Sequence, residues 1–241
     1  MKYKNRWFAH TFWVCAFLSC TLSAGESDPG ITAISIPSAD VTMSFVKAGI
    51  IEKVLVKEGD EVTEKQMLVQ QDTETAEANL AQKKIDLQRL EWAAERGSAT
   101  ELEVEHARLD VKVLEILIDD MTLKSPISGT VDKVEVEVGE AANGLEAVIR
   151  VVKTDPLWID VPIPLAQGRT FKKGQPASVA FPGSKKQANG TIIYVSTVAD
   201  AASSTLRVRI EVPNKQKRPA GEHVQVSFPK TAEPSKENSV K

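Results

Sequence analysis

Residues 48–62 read AGIIEKVLVKEGDEV, and eighty positions later residues 128–142 read SGTVDKVEVEVGEAA. At that offset Gly49, Lys53, Val54, Val56 and Gly59 meet identical residues in Gly129, Lys133, Val134, Val136 and Gly139. Ile51/Val131, Glu52/Asp132 and Asp60/Glu140 are conservative pairs. Ordinary residue usage gives about one chance identity in such a window, so five identities mark a repeat. Val54 and Val56 fall on one face of an extended segment, with Lys53, Leu55 and Lys57 on the other. The glycines Gly49, Gly59, Gly129 and Gly139 read as structural turn positions, with Gly59 free to take positive φ.

Working outward, MLVQQD (67–72) is another short strand, and residues 25–47, with Pro29 and Pro37, form an extended N-terminal segment. After Asp72 the apolar period changes from two to about 3.6. Residues 73–95 contain no Gly or Pro and are rich in Ala, Leu, Glu, Lys and Gln, which predicts a helix. Arg96-Gly97-Ser98 stops it, and residues 99–121 predict a second helix, capped by Ser98 or Thr100. Pro126 closes the helical region. So short a connection forces an antiparallel return, giving an α-helical hairpin over 73–124. Leu80, Leu87, Leu90, Leu102, Leu109, Val113 and Ile116 are the expected seam; Trp92, near the tip, is either packed into it or an exposed contact, with packing the favoured reading. The hairpin is thus an insertion between two similar halves, 48–72 and 128–154, of one β domain. Residues 155–229 carry short strands separated by Gly, Pro and Asn turns, the pattern of a small β-barrel, with Trp158 expected in its core. The polar tail 230–241 is expected to be disordered. The fold class expected is therefore mainly β with an inserted helical hairpin.

The N-terminus reads as a signal peptide over 1–24. MKYKNR is positively charged, WFAHTFWVCAFLSC is apolar but shorter than the roughly 20 residues of a spanning helix, and TLSAG offers small residues for cleavage. An uncleaved anchor and a lipid on Cys20 are the alternatives. Both cysteines, Cys15 and Cys20, lie in this leader, so the exported chain has no thiol chemistry. Loss of Lys2, Lys4 and Arg6 takes the 30 basic residues to 27 against 33 acidic ones, a charge of −6. That balance argues against a nucleic-acid partner.

Catalytic and ligand-binding signals are weak. No glycine-rich loop opens a helix after a strand, as phosphate binding requires. His106 lies on a charged helix and His223 in a strand; both read as surface residues, and no metal cluster is expected. The carboxylates of TETAEANL and TELEVEHARL sit at helical spacing and read as a solvated face with i,i+4 partners.

Four segments together resemble the periplasmic adaptor subunits, or membrane fusion proteins, of bacterial efflux and secretion systems. GIIEKVLVKEGDEV is similar to that family's first half-motif and SPISGTVDKVEVEVGE to its second; DPLWIDVPIP resembles its first barrel strand, and VADAASSTLRVRIEVPNKQKRPAGEHVQV the run that follows. The likeness covers about residues 30–228. It implies a lipoyl-like barrel-sandwich hybrid carrying the hairpin, plus the β-barrel. It also implies a homo-oligomeric ring and two protein partners, an inner-membrane transporter (resistance-nodulation-division, RND, type before ATP-binding-cassette) and an outer-membrane efflux channel. The location implied is the periplasm, at the inner membrane, with no enzyme activity and no cofactor. Lys65 stands where the family has glycine, Glu222 where it has methionine, the hairpin is short, and too few residues follow Phe228 for a membrane-proximal domain.

In lipoyl carriers a lysine at the hairpin turn holds the cofactor. Here Glu74 takes that register, which cannot form the amide, and Lys65 and Lys83 are out of register. The resemblance also implies a channel-docking motif at the helical tip, an arginine, a leucine four on and a serine seven further. The matching positions are Arg89, Ala93 and Thr100, with Arg96 and Gly97 between. The rival reading is a stand-alone periplasmic binding or delivery module, for example for a metal. The wide spacing of Met43, Met67 and Met121 argues against it.

Overall fold

The computed structural model describes residues 30–184 and 186–229. The leader, its cysteines and the tail from residue 230 lie outside the described residues. The elements are β1 (Ile31–Met43), β2 (Gly49–Val54), β3 (Glu61–Val62), β4 (Met67–Gln71), α1 (Glu74–Glu95), α2 (Glu101–Asp120), β5 (Thr122–Lys124), β6 (Gly129–Val134), β7 (Ala141–Ala142), β8 (Ile149–Pro164), α3 (Leu165–Gly168), β9 (Pro176–Ala180), β10 (Ala188–Val195), β11 (Thr205–Val212) and β12 (His223–Ser227).

The sequence repeat becomes a pseudo-two-fold. One sheet runs β5-β4-β2-β7, and the other presents β1-β8-β6-β3, so each strand meets its counterpart at the eighty-residue offset. The hydrogen bonds repeat as well. Gly59 N–H donates to the Val131 carbonyl at 2.8 Å, and Gly139 N–H to the Ile51 carbonyl at 2.8 Å. Val131 N–H donates to Asp60 O, and Ile51 N–H to Glu140 O. Each copy's turn strand pairs with the other copy: β3 with β6, and β7 with β2. Neither half can satisfy its backbone alone, which is the physical reason for two copies. Between the sheets the inward residues form one core: Ile51 and Val131, Val56 and Val136, Val62 and Ala142, Val69 and Ile149.

Gly59 and Gly139 hold their turns at φ of +89° and +87°. Gly49 and Gly129 do not turn; they open β2 and β6. A Cβ there would meet the Gln71 side chain at 2.8 Å or the Val152 carbonyl oxygen at 2.4 Å, so close approach, not a turn, explains these two.

The second domain is a closed six-stranded barrel in the order β1-β12-β9-β10-β11-β8, closed by β1 against β8. Leu157, Ile159, Val161 and Ile163 of β8 line its core with Val208, Ile210, Val179 and Ile192. Trp158 does not join them. It lies half-buried on the outer face, with the Arg209 guanidinium 4.6 Å from its ring, because in a strand neighbours of core residues point outward. β1 and β8 belong to both domains. β8 passes through positions 154 and 155 as one strand, and β1, within the extended N-terminal segment, pairs with β12 in the barrel and with β8 along its length.

Between β4 and β5 stand the two antiparallel helices, about 33 and 30 Å long at 1.5 Å per residue. The seam on α1 follows expectation at Leu80, Leu87 and Leu90, all half-buried. On α2 it differs. Val104, Ala107, Val111, Leu114 and Ile118, at alternating steps of three and four, turn inward. Leu102, Leu109, Val113 and Ile116 face solvent, 51–66% exposed. α2 carries two apolar stripes of equal period, and the one with the smaller residues lets the helices approach closely. Trp92, 60% exposed, also lies outside the seam.

Candidate functional site

The hairpin ends in a tight, well-capped tip. α1 stops at Arg96, whose N–H bonds the Ala93 carbonyl, and Gly97 takes φ +70°, the left-handed conformation that ends helices. α2 starts at Thr100 with a reciprocal capping box. Glu103 N–H donates to Thr100 Oγ1 at 3.3 Å, and Thr100 N–H donates to Glu103 Oε2 at 2.7 Å. That backbone bond, followed by the one from the Thr100 hydroxyl, holds the Glu103 carboxyl below the usual carboxylate range. Thr100 therefore has a structural role, capping α2.

Arg89 projects from the last turns of α1 with 75% of its side chain exposed and only a long contact, 3.9 Å, to Asp86. Trp92 and Arg96 follow at i+3 and i+7, so the three share one outward face. Ala93 is half-buried and offers only a methyl group. Arg89, Ala93, Arg96, Gly97 and Thr100 lie toward one end of the hairpin, and Trp92 lies with them. Glu74 is the first residue of α1, exposed, its N–H bonded to Asp72 Oδ1; the register of a carrier lysine is here a helix start.

Along the shaft, the charges pair chiefly between the helices rather than at i,i+4: Lys83 with Asp110 at 2.9 Å, Lys84 with Glu115 at 3.1 Å, Arg108 with Glu91 at 3.0 Å. These exposed pairs fix register more than they add stability. Two apolar stripes remain, Ile85 and Trp92 on α1 and Leu102, Leu109, Val113 and Ile116 on α2, each on the side away from the seam. They occupy opposite outer edges of the hairpin.

On the outside of the barrel, Asp160 accepts two bonds from Arg209, at 2.6 and 2.7 Å, while Trp158 Nε1–H donates to Glu211 at 3.4 Å. His106 and His223 are exposed. Among the described residues no three His, Cys, Asp or Glu side chains come together as a metal site, and no helix is long and apolar enough to cross a membrane.

Residues 39–154 match the family model for the barrel-sandwich hybrid domain of RND membrane fusion proteins, and residues 156–232 that for the CusB-like β-barrel domain. The solvent efflux pump periplasmic linker SrpA of Pseudomonas putida is 27% identical, the alignment covering 71% of this chain and 53% of SrpA. The chain spans about half the length of the curated relatives it matches. In fold it is similar to a MacA–MexA chimera bearing the Pseudomonas aeruginosa MexA α-hairpin, at a TM-score of 0.69, 20% identity, 81% of this chain and 78% of that one. It is also similar to the membrane fusion protein Spr0693 of Streptococcus pneumoniae R6, at 0.63, 19%, 83% and 97%. With a repeated half-sandwich split by a hairpin, a six-stranded barrel sharing two of its strands, and family models matching both domains in that order, the chain belongs to the membrane fusion protein family of bacterial efflux systems.

Proposed function

We propose that this chain is a non-enzymatic adaptor in the periplasm, held at the inner membrane, that bridges an RND-type transporter and an outer-membrane channel for export. The observation that carries the reading is the hairpin. It is an inserted arm with a capped tip and an exposed arginine whose one ion contact is long, and with apolar stripes on both outer edges. A lone periplasmic domain has no use for two uncovered stripes, whereas copies set side by side would cover the α1 stripe of one with the α2 stripe of the next. Such a contact joins two different surfaces, and head-to-tail contacts of this kind make a ring when the rotation between copies closes. A ring of hairpins is a conduit wall, and its work is mechanical coupling rather than chemistry. The matches of both domains to models of RND-type adaptors support that transporter class.

At the tip, Arg89 with Trp92 and Arg96 would contact the channel, Ala93 would supply a small apolar surface, and Gly97 and Thr100 would hold the turn. The Arg89→Asp variant should lose export while keeping its thermal stability, because Arg89 makes only the one long contact. Unchanged export would remove the docking role.

The test of the whole reading is affinity purification of the tagged protein from mildly cross-linked native membranes, with mass spectrometry of its companions. Recovery of an inner-membrane transporter and an outer-membrane channel is the expected result. Recovery of the protein alone, or with soluble periplasmic proteins, would overturn it in favour of a binding or delivery module.

A further inference from the structure

Residues 161–199 contain no Asp or Glu, although the chain has 33 acidic residues in 241 and a stretch of that length would hold about five at its average. The same stretch carries Arg169, Lys172 and Lys173. In the barrel these three fall at one end. β8 finishes at Pro164 beside Thr205, β9 begins at Pro176 opposite Thr191, and Leu165 N–H donates to the Ser204 carbonyl at 3.0 Å. The α3–β9 loop (169–175) and the β10–β11 loop (196–204) therefore cover the same end of the barrel. β1 and β8 join the sandwich at the other end, through Pro37–Ala39 and Lys153–Leu157.

The cations stand on a loop pinned to the barrel. Phe171 packs on Phe228 with ring centroids 4.4 Å apart. Gly174, at φ +90°, donates its N–H to the Ile192 carbonyl at 2.8 Å, and Gln175 Oε1 accepts from Lys172 N–H at 2.9 Å. Elsewhere in the barrel Arg207, Arg209, Lys217 and Arg218 each have an acidic partner. Arg169, Lys172 and Lys173 are exposed and, among the described residues, form no ion pair. Asp200 is the acidic residue of the two loops, and its carboxylate already accepts from the N–H groups of Ala202 and Ser203 at 2.9 Å. Val198, 75% exposed, adds an uncovered apolar side chain on the facing loop.

The chain also enters the barrel at this end. Gly30 precedes Ile31, which pairs with Val226 near the finish of β12. The nine residues 21–29 separate Gly30 from the apolar run 7–20 and span at most about 32 Å when extended. We propose that this end of the barrel faces a bilayer and that Arg169, Lys172 and Lys173 bind the headgroups of anionic phospholipids. The contact rests on the reading of the chain as held at the inner membrane, and it names the surface that does the holding. Headgroup phosphates carry the negative charge that the three cations lack within the protein, and the attraction acts within a Debye length of the surface. A retained or lipidated leader would bring the bilayer within reach, and a cleaved one would leave the cations to hold it. Entry of the leader at this same end favours a lipid surface over an acidic protein one.

The test is co-sedimentation of the full chain with vesicles of phosphatidylcholine alone and of phosphatidylcholine mixed with phosphatidylglycerol. Whatever the leader contributes is common to both, so the difference reads the headgroup charge. The anionic vesicles should bind more tightly, on the order of a hundredfold for three cations at low salt, and the gain should vanish in about 1 M salt. Changing Arg169→Glu, Lys172→Glu and Lys173→Glu together should abolish the gain. Changing the exposed Lys53→Glu, Lys57→Glu and Lys112→Glu together alters net charge equally and should keep most of it. Equal binding of the unaltered chain to both vesicles would overturn the proposal. Equal losses in the two variants would also overturn it, by assigning the attraction to overall charge. So would a patch variant that binds anionic vesicles normally yet no longer recovers the transporter from cross-linked membranes, since this end would then be a protein-docking face. Thermal unfolding checks the fold of both variants, and the vesicle comparison on the unaltered chain needs no variant. No transporter or channel takes part in the vesicle assay, so its failure leaves the bridging reading standing, and failure of the affinity purification leaves the lipid contact standing.

Discussion

An alanine at position 129 would set its methyl carbon 2.4 Å from the Val152 carbonyl oxygen, a backbone atom that cannot move aside. At position 139 the same change meets open space but must accept φ +87°. Both should destabilise, Gly129→Ala by roughly 3 kcal/mol from overpacking and Gly139→Ala by about 1 kcal/mol from strain. Chemical denaturation of the two variants checks the order. The same scale holds an opposite case. Lys65 and Leu145, eighty residues apart, both adopt the left-handed region, at φ +67° and +68°. Leu145 is also 80% exposed, so its side chain contributes little packing. Leu145→Gly should therefore raise stability by up to about 1 kcal/mol, relief of strain outweighing the added chain entropy. A loss of stability would mean that Leu145 packs against something in solution.

At the scale of elements, Thr100→Ala removes the hydroxyl that accepts from Glu103 N–H and should cost about 1 kcal/mol. The loss should show first as faster amide exchange in the opening turn of α2, because a helix frays from an uncapped end. The outer stripes predict a separate effect. Trp92→Lys should leave the isolated chain as stable as before, since Trp92 is exposed, and should weaken self-association measured by sedimentation at high concentration. The two helices were legible from the sequence, because the change of period and the Arg96-Gly97-Ser98 stop are local signals, but the far bound of the hairpin was not: residues 122–124, expected within it, form β5 and pair with β4. Which stripe of α2 turns inward was not legible either. Leu102, Leu109, Val113 and Ile116 repeat as regularly as Val104, Val111 and Ile118, and only the partner helix chooses between them. Trp158 is a different case: alternation with the buried Leu157, Ile159, Val161 and Ile163 already turns it outward, and what the sequence hides is its partners there, the Arg209 guanidinium and the Glu211 carboxylate.

The whole molecule shows a third kind of legibility. The two half-sandwiches were visible as a repeat, but their exchange of turn strands was not, since β3 and β7 are two residues long and carry no pattern of their own. The junction was hidden for another reason: the sequence reading divides β8 between two domains at 154/155 and leaves β1 in a separate extended segment, and nothing in a strand's alternation says that it serves two sheets. Proton linkage also belongs to this scale. Arg150 lowers the Asp40 pKa through a hydrogen bond, Lys217 lowers that of Glu61, and Ser203 N–H that of Asp200. Each carboxyl is more acidic folded than unfolded, so its contribution is complete above the ordinary values of 3.8 for Asp and 4.5 for Glu. That contribution is lost as pH falls through the lower folded values. The melting temperature should be level above about pH 5 and decline below about pH 4, modestly because these groups are exposed. A melting temperature that rises on acidification would contradict the assignment.

The hairpin leaves the sandwich from β4 and returns through β5, and these two strands are antiparallel neighbours in one sheet. Its two ends are therefore already side by side before the first helical residue, and the sandwich closes its own hydrogen bonds whatever lies between them. The arm behaves as an exchangeable cartridge on a fixed socket. Heptads can be added or removed in pairs, one from each helix, so that evolution, or an engineer, can set the reach of the molecule without redesigning the body that bears it. Replacing residues 74–120 by a short glycine-rich turn should leave a folded two-domain protein that has lost its reach, its docking tip and its outer stripes together.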